Sequence, residues 1–165
     1  MIRGGSRRDH HGHLVQAGEG SVIADDLRPG ADFPAFVDLM CDRERGRNLP
    51  VGWVPYSPFW LVRDDVVLGH ISLRHRLTDA LLDFGGHVGY AVHPKHRRQG
   101  HATFMLRQML RIVEERGMDR LLVTCDPTNI ASATVIDKCG GWLDSESWSS
   151  QVERQVRRYW ILLGA

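Results

Sequence analysis

Residues 87–117 of this chain read HVGYAVHPKHRRQGHATFMLRQMLRIVEERG, and the segment combines a strand, a basic turn and a helix. The alternating residues 87–92 predict the strand, and Gly100 closes the basic turn that follows it. From Ala102 onward, apolar residues recur at helical spacing, which predicts an amphipathic helix that ends at Gly117. The first turn of a helix leaves N–H groups without intrahelical partners and carries about half a positive charge. The junction is therefore either a candidate phosphate site or, on these grounds alone, a solvated basic turn.

Similar strand and helix patterns flank this segment. Further strands are predicted at residues 59–63, 66–74, 121–125, 142–146 and 157–163, and further helices at residues 32–46 and from Asn129 to Gly140. Residues 47–58, rich in proline and aromatic residues, are predicted to form an extended loop. No internal repeat or linker interrupts the series, which indicates one α+β domain, a mostly antiparallel sheet with helices attached.

The first 30 residues carry the weakest pattern. Short apolar pieces occur only at Leu14-Val15 and Val22-Ile23-Ala24, so a short strand is the most that this region predicts. We therefore treat residues 1–30 as a poorly defined N-terminal segment and residues 31–165 as the domain.

Composition and charge exclude several classes of protein. The chain has 165 residues, which is about the size of one domain. Its 21 Lys and Arg residues against 20 Asp and Glu residues give a net charge of +1. A nucleic-acid-binding domain would carry a larger basic surplus, so no nucleic-acid partner is expected. No apolar run is long enough to span a membrane, and the basic N-terminus lacks the apolar stretch of a signal peptide, so we expect no membrane partner and a cytoplasmic location.

The cysteines and the clustered histidines do not predict a metal site. Cys41, Cys125 and Cys139 are odd in number and far apart, which argues against a disulfide framework and against paired zinc ligands. The triplet His10, His11 and His13 has no second cluster of ligands and lies among Gly, Ser and Arg residues, as in a tail. We therefore predict no metal.

The segment from Val92 to Ala102 resembles the acetyl-CoA loop of the GNAT N-acetyltransferase superfamily. That loop has the pattern Arg/Gln-x-x-Gly-x-Gly/Ala after V-x-P, and here it runs from Arg97 through Gly100 to Ala102. The resemblance covers about residues 47–163, and its set of motifs is similar to that of a bacterial subfamily of predicted acetyltransferases. Its other parts are, in order, residues 87–90, 123–126, Asn129, Ser132, Val135, Gly140-Gly141 and 157–161.

The resemblance implies a GNAT-like fold and acetyl-CoA as cosubstrate. In such a fold the helices flank a mixed, mostly antiparallel sheet, and the pantetheine arm lies where the two central strands splay apart. Backbone groups at Tyr90 and Val92 would pair with that arm, and loop amides would hold the pyrophosphate. The implied cofactor-binding residues are Tyr90, Val92, Arg97, Arg98, Gln99, Gly100, His101, Ala102, Thr103, Asn129 and Ser132.

The catalytic residues are less well defined by the resemblance. A neutral amine must attack the thioester, so a base must take its proton, and His87 lies near the place where the family often has one. His87 is either this base or a hydrogen-bonded structural histidine, with Asp83 and His75 as other candidates. Many family members protonate the leaving thiolate with a tyrosine seven residues after the Asn. Here that position is Ile136, and Tyr90 or water is the candidate substitute.

The function that the resemblance implies is acetyl transfer to a primary amine of a small molecule, by direct attack in a ternary complex. One alternative is a protein acetyltransferase acting on a lysine or an N-terminal amine, and another is an acyl-CoA-binding protein without catalysis, which Ile136 permits. An RNA-associated module is disfavoured by the net charge. A homodimer is left open. The aromatic residues of the predicted loop either line the acceptor site or pack over the sheet.

Overall fold

A seven-stranded sheet forms the centre of the computed structural model, which describes residues 13–16, 32–64 and 66–164. The strands are β1 (His13–Gln16), β2 (Tyr56–Arg63), β3 (Val66–Arg74), β4 (Val88–Val92), β5 (Arg120–Cys125), β6 (Trp142–Ser149) and β7 (Arg154–Leu162), and the helices are α1 (Phe33–Glu44), α2 (His101–Glu115) and α3 (Ile130–Asp137). The strand order is β1-β2-β3-β4-β5-β7-β6. Only β4 and β5 pair in parallel among these strands, which confirms the predicted α+β class with a mixed, mostly antiparallel sheet.

The N-terminal region contributes one edge of this sheet. The strand at His13–Gln16 pairs with β2 over Phe59 to Val62, so the short strand expected near Leu14-Val15 is present. The other apolar piece, Val22-Ile23-Ala24, and the residues His10 and His11 lie outside the described residues. The division of the chain at residue 30 stays a prediction.

The β2–β3 hairpin is longer than predicted. Its register runs from Tyr56 opposite Arg74 to Arg63 opposite Val66, so the expectation that residues 56–58 belong to a loop is wrong. The His75 N–H donates to the Pro55 carbonyl at 2.9 Å, and every second residue of β2 bonds to β3, so Pro58 turns its nitrogen away from β3 and no hydrogen bond of that ladder is lost.

Local signals in the sequence define the helix ends. The Asp32 side chain accepts a hydrogen bond from the Ala35 N–H at 3.3 Å and caps α1. The α2 helix stops at Gly117, whose φ of +76° is the left-handed conformation expected just beyond a helix end. Asn129 caps α3 by accepting the Ser132 N–H at 3.0 Å, which confirms the predicted cap.

The two faces of the sheet are covered by different helices. The main core lies between the sheet and the pair α2 and α3, where Ile71, Met105 and Ile136 are fully buried. Helix α1 forms a second, smaller cluster in which Phe36 stacks on Trp60 with 6.3 Å between ring centroids. Trp60 lies between Phe59 and Leu61, which both belong to the main core. Because side chains alternate along a strand, α1 lies on the face of the sheet opposite α2.

Candidate functional site

The central strands β4 and β5 meet at one end only. Val88 opposite Val123 is the only pair in parallel register among the described residues. Just before it, the His87 N–H donates to the Leu122 carbonyl at 2.8 Å, and the Leu122 N–H donates to His87 Nδ1 at 2.9 Å. Gly86 permits this approach, because a Cβ there would stand 2.7 Å from the Leu122 oxygen and its φ is +64°. Beyond Val88 the two strands splay apart, as the resemblance implied.

Alternate residues of β4 direct their backbone groups into this gap. The Arg74 N–H donates to the His87 carbonyl at 2.7 Å, and the His93 N–H donates to the Leu68 carbonyl at 2.8 Å. In an antiparallel pair, every second residue bonds to the same neighbour. The backbone N–H and C=O of Tyr90 therefore point away from β3 and toward the gap.

A cleft of about 1090 Å³ opens where the gap meets the start of α2. All the predicted cofactor-binding residues except Gln99 line it, so the structure brings together residues from β4, the basic turn, α2 and α3. The lining residues are Tyr90, Ala91, Val92, Pro94, Lys95, His96, Arg97, Arg98, Gly100, His101, Ala102, Thr103, Asn129, Ala131, Ser132, Thr134, Val135 and Lys138. His87 is not one of them.

The turn before α2 presents backbone amides to the cleft. Arg98 and Gly100 both have positive φ, at 59° and 81°, and such a turn forms a concave array of N–H groups. Gly100 is the N-cap of α2 and has no side chain with which to satisfy the first N–H groups of the helix. The turn is fixed to β4, because Arg97 Nε donates to the Val92 carbonyl at 3.1 Å.

The cleft is positively charged. Lys95, Arg97, Arg98 and Lys138 line it, and there is no Asp or Glu among its lining residues in the part of the chain that the structure describes. Four cations beside the positive end of a helix favour a ligand that carries several negative charges.

Tyr90 joins the gap to helix α3. Its hydroxyl lies 2.8 Å from Ser132 Oγ and donates to the Ser132 carbonyl at 3.4 Å. Burial raises the pKa of Tyr90 to about 12, so the hydroxyl keeps its proton at neutral pH. Ile136, where many family members have tyrosine, is fully buried in the core and presents nothing to the cleft.

His87 holds the two strands together. Its ring is buried, lies edge-on to Trp160 at 6.3 Å, and uses Nδ1 to accept the Leu122 N–H. Burial, and then the charges of Arg74 and Arg120, lower the pKa of His87 to about 4. The ring is therefore neutral at pH 7. The assignment of His87 as the general base stays a prediction. What the structure shows is that His87 positions β4 against β5 through its contacts with Leu122.

The other two candidate bases are held by side-chain partners. Asp83 accepts from Ser149 Oγ and forms an ion pair with Arg158. His75 Nε2 lies 2.7 Å from Ser57 Oγ, and Ser57 is fully buried.

The family comparison decides what this arrangement belongs to. Residues 54–141 match the family described as acetyltransferase (GNAT) domain. The chain is a GNAT acetyltransferase. It is thus an acyltransferase, and the resemblance inferred from its sequence is confirmed. A comparison with curated protein sequences finds no match.

Solved structures of low sequence identity share the GNAT fold. The IAA acetyltransferase from Bacillus cereus is 13% identical with a TM-score of 0.61, and the match covers 92% of this chain and 99% of that one. The spermidine N-acetyltransferase from Vibrio cholerae is 13% identical with a TM-score of 0.55, over 83% and 79% of the two chains. The yncA structure from Salmonella typhimurium, which contains its cofactor acetyl-CoA, is 15% identical with a TM-score of 0.56, over 82% and 76%.

A second, smaller pocket of the acetyltransferase lies on the other face of the sheet, and Trp53 and Tyr56 of the predicted aromatic loop are part of its wall. It has a volume of about 250 Å³. Its lining residues are Gly52, Trp53, Val54, Tyr56, Ser72, Arg74, Thr78, Ala80, Leu81 and Phe84. The aromatic loop was the one signal for it in the sequence.

One wall of this pocket is a π-helical turn at Leu81–Gly85, which is absent from the sequence-based prediction. Arg74 Nη1 donates to the carbonyls of Gly85 and Gly86 at 3.0 and 3.1 Å. Thr124 Oγ1 donates to the Phe84 carbonyl at 2.6 Å, which ties the turn to β5. These contacts place the small pocket beside the closed end of the β4–β5 gap.

No helix in the described part of the chain is long and apolar enough to cross a bilayer. Over the same residues, no three His, Cys, Asp or Glu side chains gather as a metal would require. Cys41, Cys125 and Cys139 are all free thiols.

Proposed function

We propose that this protein transfers the acetyl group of acetyl-CoA to a primary amine of a small molecule, by direct attack in a ternary complex. The observation that carries the proposal is the position of the cationic cleft. It joins the β4–β5 gap to a helix start whose N-cap, Gly100, leaves backbone amides for a ligand.

The cleft fits the phosphates and the arm of CoA. Amides of residues 98–103 would bind the pyrophosphate, and Lys95 and Lys138 would add charge at the rim. The backbone of Tyr90, which faces the gap, would pair with the pantetheine arm. The yncA structure, which has the same fold and contains acetyl-CoA, supports this choice.

Acetyl-CoA supplies its acetyl group as a thioester, whose C–S bond breaks when the amine nitrogen attacks the carbonyl carbon. The residues of this chain stabilise the two charges that result. We propose that a backbone N–H of β4 at Tyr90 donates to the oxyanion. The attacking nitrogen loses its proton to water in the open gap. The Tyr90 hydroxyl, protonated at neutral pH, gives its proton to the thiolate and takes one back from solvent, in place of the tyrosine that many family members have where this chain has Ile136.

The acceptor would bind in the small pocket, on the face of the sheet opposite α2. Gly89 lies between the two sites, since it pairs with Ser72 of the pocket and precedes Tyr90 of the cleft. A volume of about 250 Å³ favours a small molecule over a folded segment of protein. The cytoplasmic location and the homodimer stay predictions.

The test is calorimetric binding of CoA to the wild type and to two glycine variants of α2. Gly100 and Gly117 have similar φ, +81° and +76°, at opposite ends of the helix. A side chain at either position costs about 1–2 kcal/mol of backbone strain, so Gly100→Leu and Gly117→Leu are matched in strain. Of the two glycines, only Gly100 lines the cleft.

We expect Gly100→Leu to lose CoA binding while Gly117→Leu retains it. Thiol release from acetyl-CoA should then appear only when an amine is added. Unchanged CoA binding in Gly100→Leu would overturn the phosphate site, and binding without any turnover over a broad amine panel would leave an acyl-CoA-binding protein. Transfer only to peptides would replace the small-molecule assignment.

A further inference from the structure

We propose that the pocket of about 250 Å³ selects an acceptor amine that also carries a carboxylate and an aromatic or apolar body, and that Arg74 binds the carboxylate. This inference rests on the proposed function, because it assumes that the pocket receives the acceptor.

Arg74 lies where it can contact an acceptor that reaches the gap. It ends β3 opposite Tyr56, on the face of the sheet away from α2. A Cβ on Gly89 would stand 3.8 Å from Arg74 Nη2 and 3.8 Å from Ser72 Oγ. The guanidinium therefore lies beside the strand that borders the gap, and Gly89 leaves the space between them open.

The guanidinium is held in a fixed orientation. Arg74 Nη1 donates to two successive carbonyls, those of Gly85 and Gly86, which orients the plane of the group. A planar guanidinium with five N–H donors matches the geometry of a carboxylate better than an ammonium does. An acceptor carboxylate would thus meet a donor group that is already oriented.

The charge of the pocket favours an anionic acceptor. Among the described residues that line the pocket, Arg74 is the only one with a charged side chain. The nearest acid on the π-helical turn, Asp83, binds Arg158 and Ser149 instead and does not line the pocket. A second cationic group on the acceptor, as in a polyamine, would be repelled.

The remaining walls are mainly apolar and aromatic. Trp53 and Tyr56 contact each other with 5.7 Å between ring centroids. The Tyr56 hydroxyl accepts from Arg43 Nη1 at 3.1 Å, on the side of α1, so its ring rather than its hydroxyl faces the pocket. The volume of about 250 Å³ lies just below the range of about 300–1,000 Å³ that is typical of small-molecule pockets, which suits an acceptor of modest size. An amino acid with an aromatic side chain has this combination of size and groups.

The experiment compares acceptors that differ in one group. Phenylalanine and phenylethylamine share the ring and the amine, and only phenylalanine has a carboxylate; spermidine is the polycationic comparison. Acetyl transfer to each is measured as kcat/KM in the wild type, Arg74→Gln and Arg76→Gln. Arg76 is an exposed arginine two residues away and serves as the matched control.

We expect the wild type and Arg76→Gln to prefer phenylalanine over phenylethylamine by at least about tenfold, the effect of about 1.4 kcal/mol. In Arg74→Gln the ratio should fall to near one. The ratio is insensitive to partial unfolding, because both acceptors see the same folded fraction. Equal use of the two amines by the wild type, a preference for spermidine, or an unchanged ratio in Arg74→Gln would overturn the inference.

The proposed function can fail separately. If the protein does not bind CoA, the proposed function fails before any acceptor is considered. If it binds CoA and acetylates amines without regard to a carboxylate, the proposed function stands and only the role of Arg74 is lost.

Discussion

Replacing His87 with asparagine separates its contact with β5 from a role in proton transfer. Asparagine keeps a side-chain acceptor for the Leu122 N–H but does not titrate. Because the folded protein holds the pKa of His87 near 4 against 6.5 in the unfolded chain, the unfolded chain binds the extra proton between these values. Stability from this histidine is therefore fully present above pH 6.5 and is lost as the pH falls toward 4.

The size of the effect follows from the two pKa values. Between pH 7 and pH 5, this difference in pKa lowers the free energy of unfolding by at most about 2 kcal/mol. The ring retains some access to solvent, which screens its charge, so we expect about 1 kcal/mol. His70 and His75, whose pKa values are also lowered by burial, contribute equally to both proteins and cancel in the comparison.

Urea unfolding of the wild type and His87→Asn at pH 7 and pH 5 measures this difference. We expect the wild type to lose about 1 kcal/mol more than the variant. At pH 8 we expect kcat to fall less than tenfold in the variant, whereas removal of a general base costs about 10²–10⁴. Parallel loss of stability in the two proteins, or a hundredfold loss of kcat, would refute the positioning role.

Two further predictions concern the two sides of the sheet. Tyr90→Phe should lower kcat about tenfold at pH 7 and less above pH 9, because a thiol of pKa about 8.5 then leaves without a proton; a pH profile of kcat checks this, and a loss independent of pH would contradict it. Asp83→Asn should weaken the ion pair with Arg158 and loosen the π-helical turn. It should raise the KM of the acceptor severalfold at unchanged CoA affinity, and a change in CoA affinity instead would contradict the separation of the two sites.

Local patterns in the sequence predicted the cleft's surroundings well because each depends on neighbouring residues. Gly117 ends α2 and Asn129 caps α3 through contacts within a few positions of the chain. The basic turn and Gly100 are likewise continuous in sequence, so the resemblance could identify the residues that the fold brings together around the cleft.

The small pocket depends on contacts that no local pattern contains. Its π-helical turn is held by Arg74, eleven positions before Gly85, and by Arg158, 75 positions after Asp83. The two consecutive glycines, Gly85 and Gly86, are the one local sign of unusual backbone in that part of the sequence. Pro58 was assigned to a loop for a related reason, since only its register against β3, which turns the proline nitrogen away from that strand, makes a proline acceptable there.

The two sites need different residues from one strand. Tyr90 turns its side chain toward α3 and the cleft, while Gly89 faces Ser72 and Arg74 on the side of the small pocket. A larger residue at 89 would narrow the passage, and a strand fully paired to β5 would leave no gap. His87 resolves this by pairing β4 to β5 through its own ring and backbone just before the strands separate. His87 thus fixes the closed end of the opening together with Gly86 and the Val88–Val123 pair, which is why we expect His87 to matter for geometry more than for proton transfer.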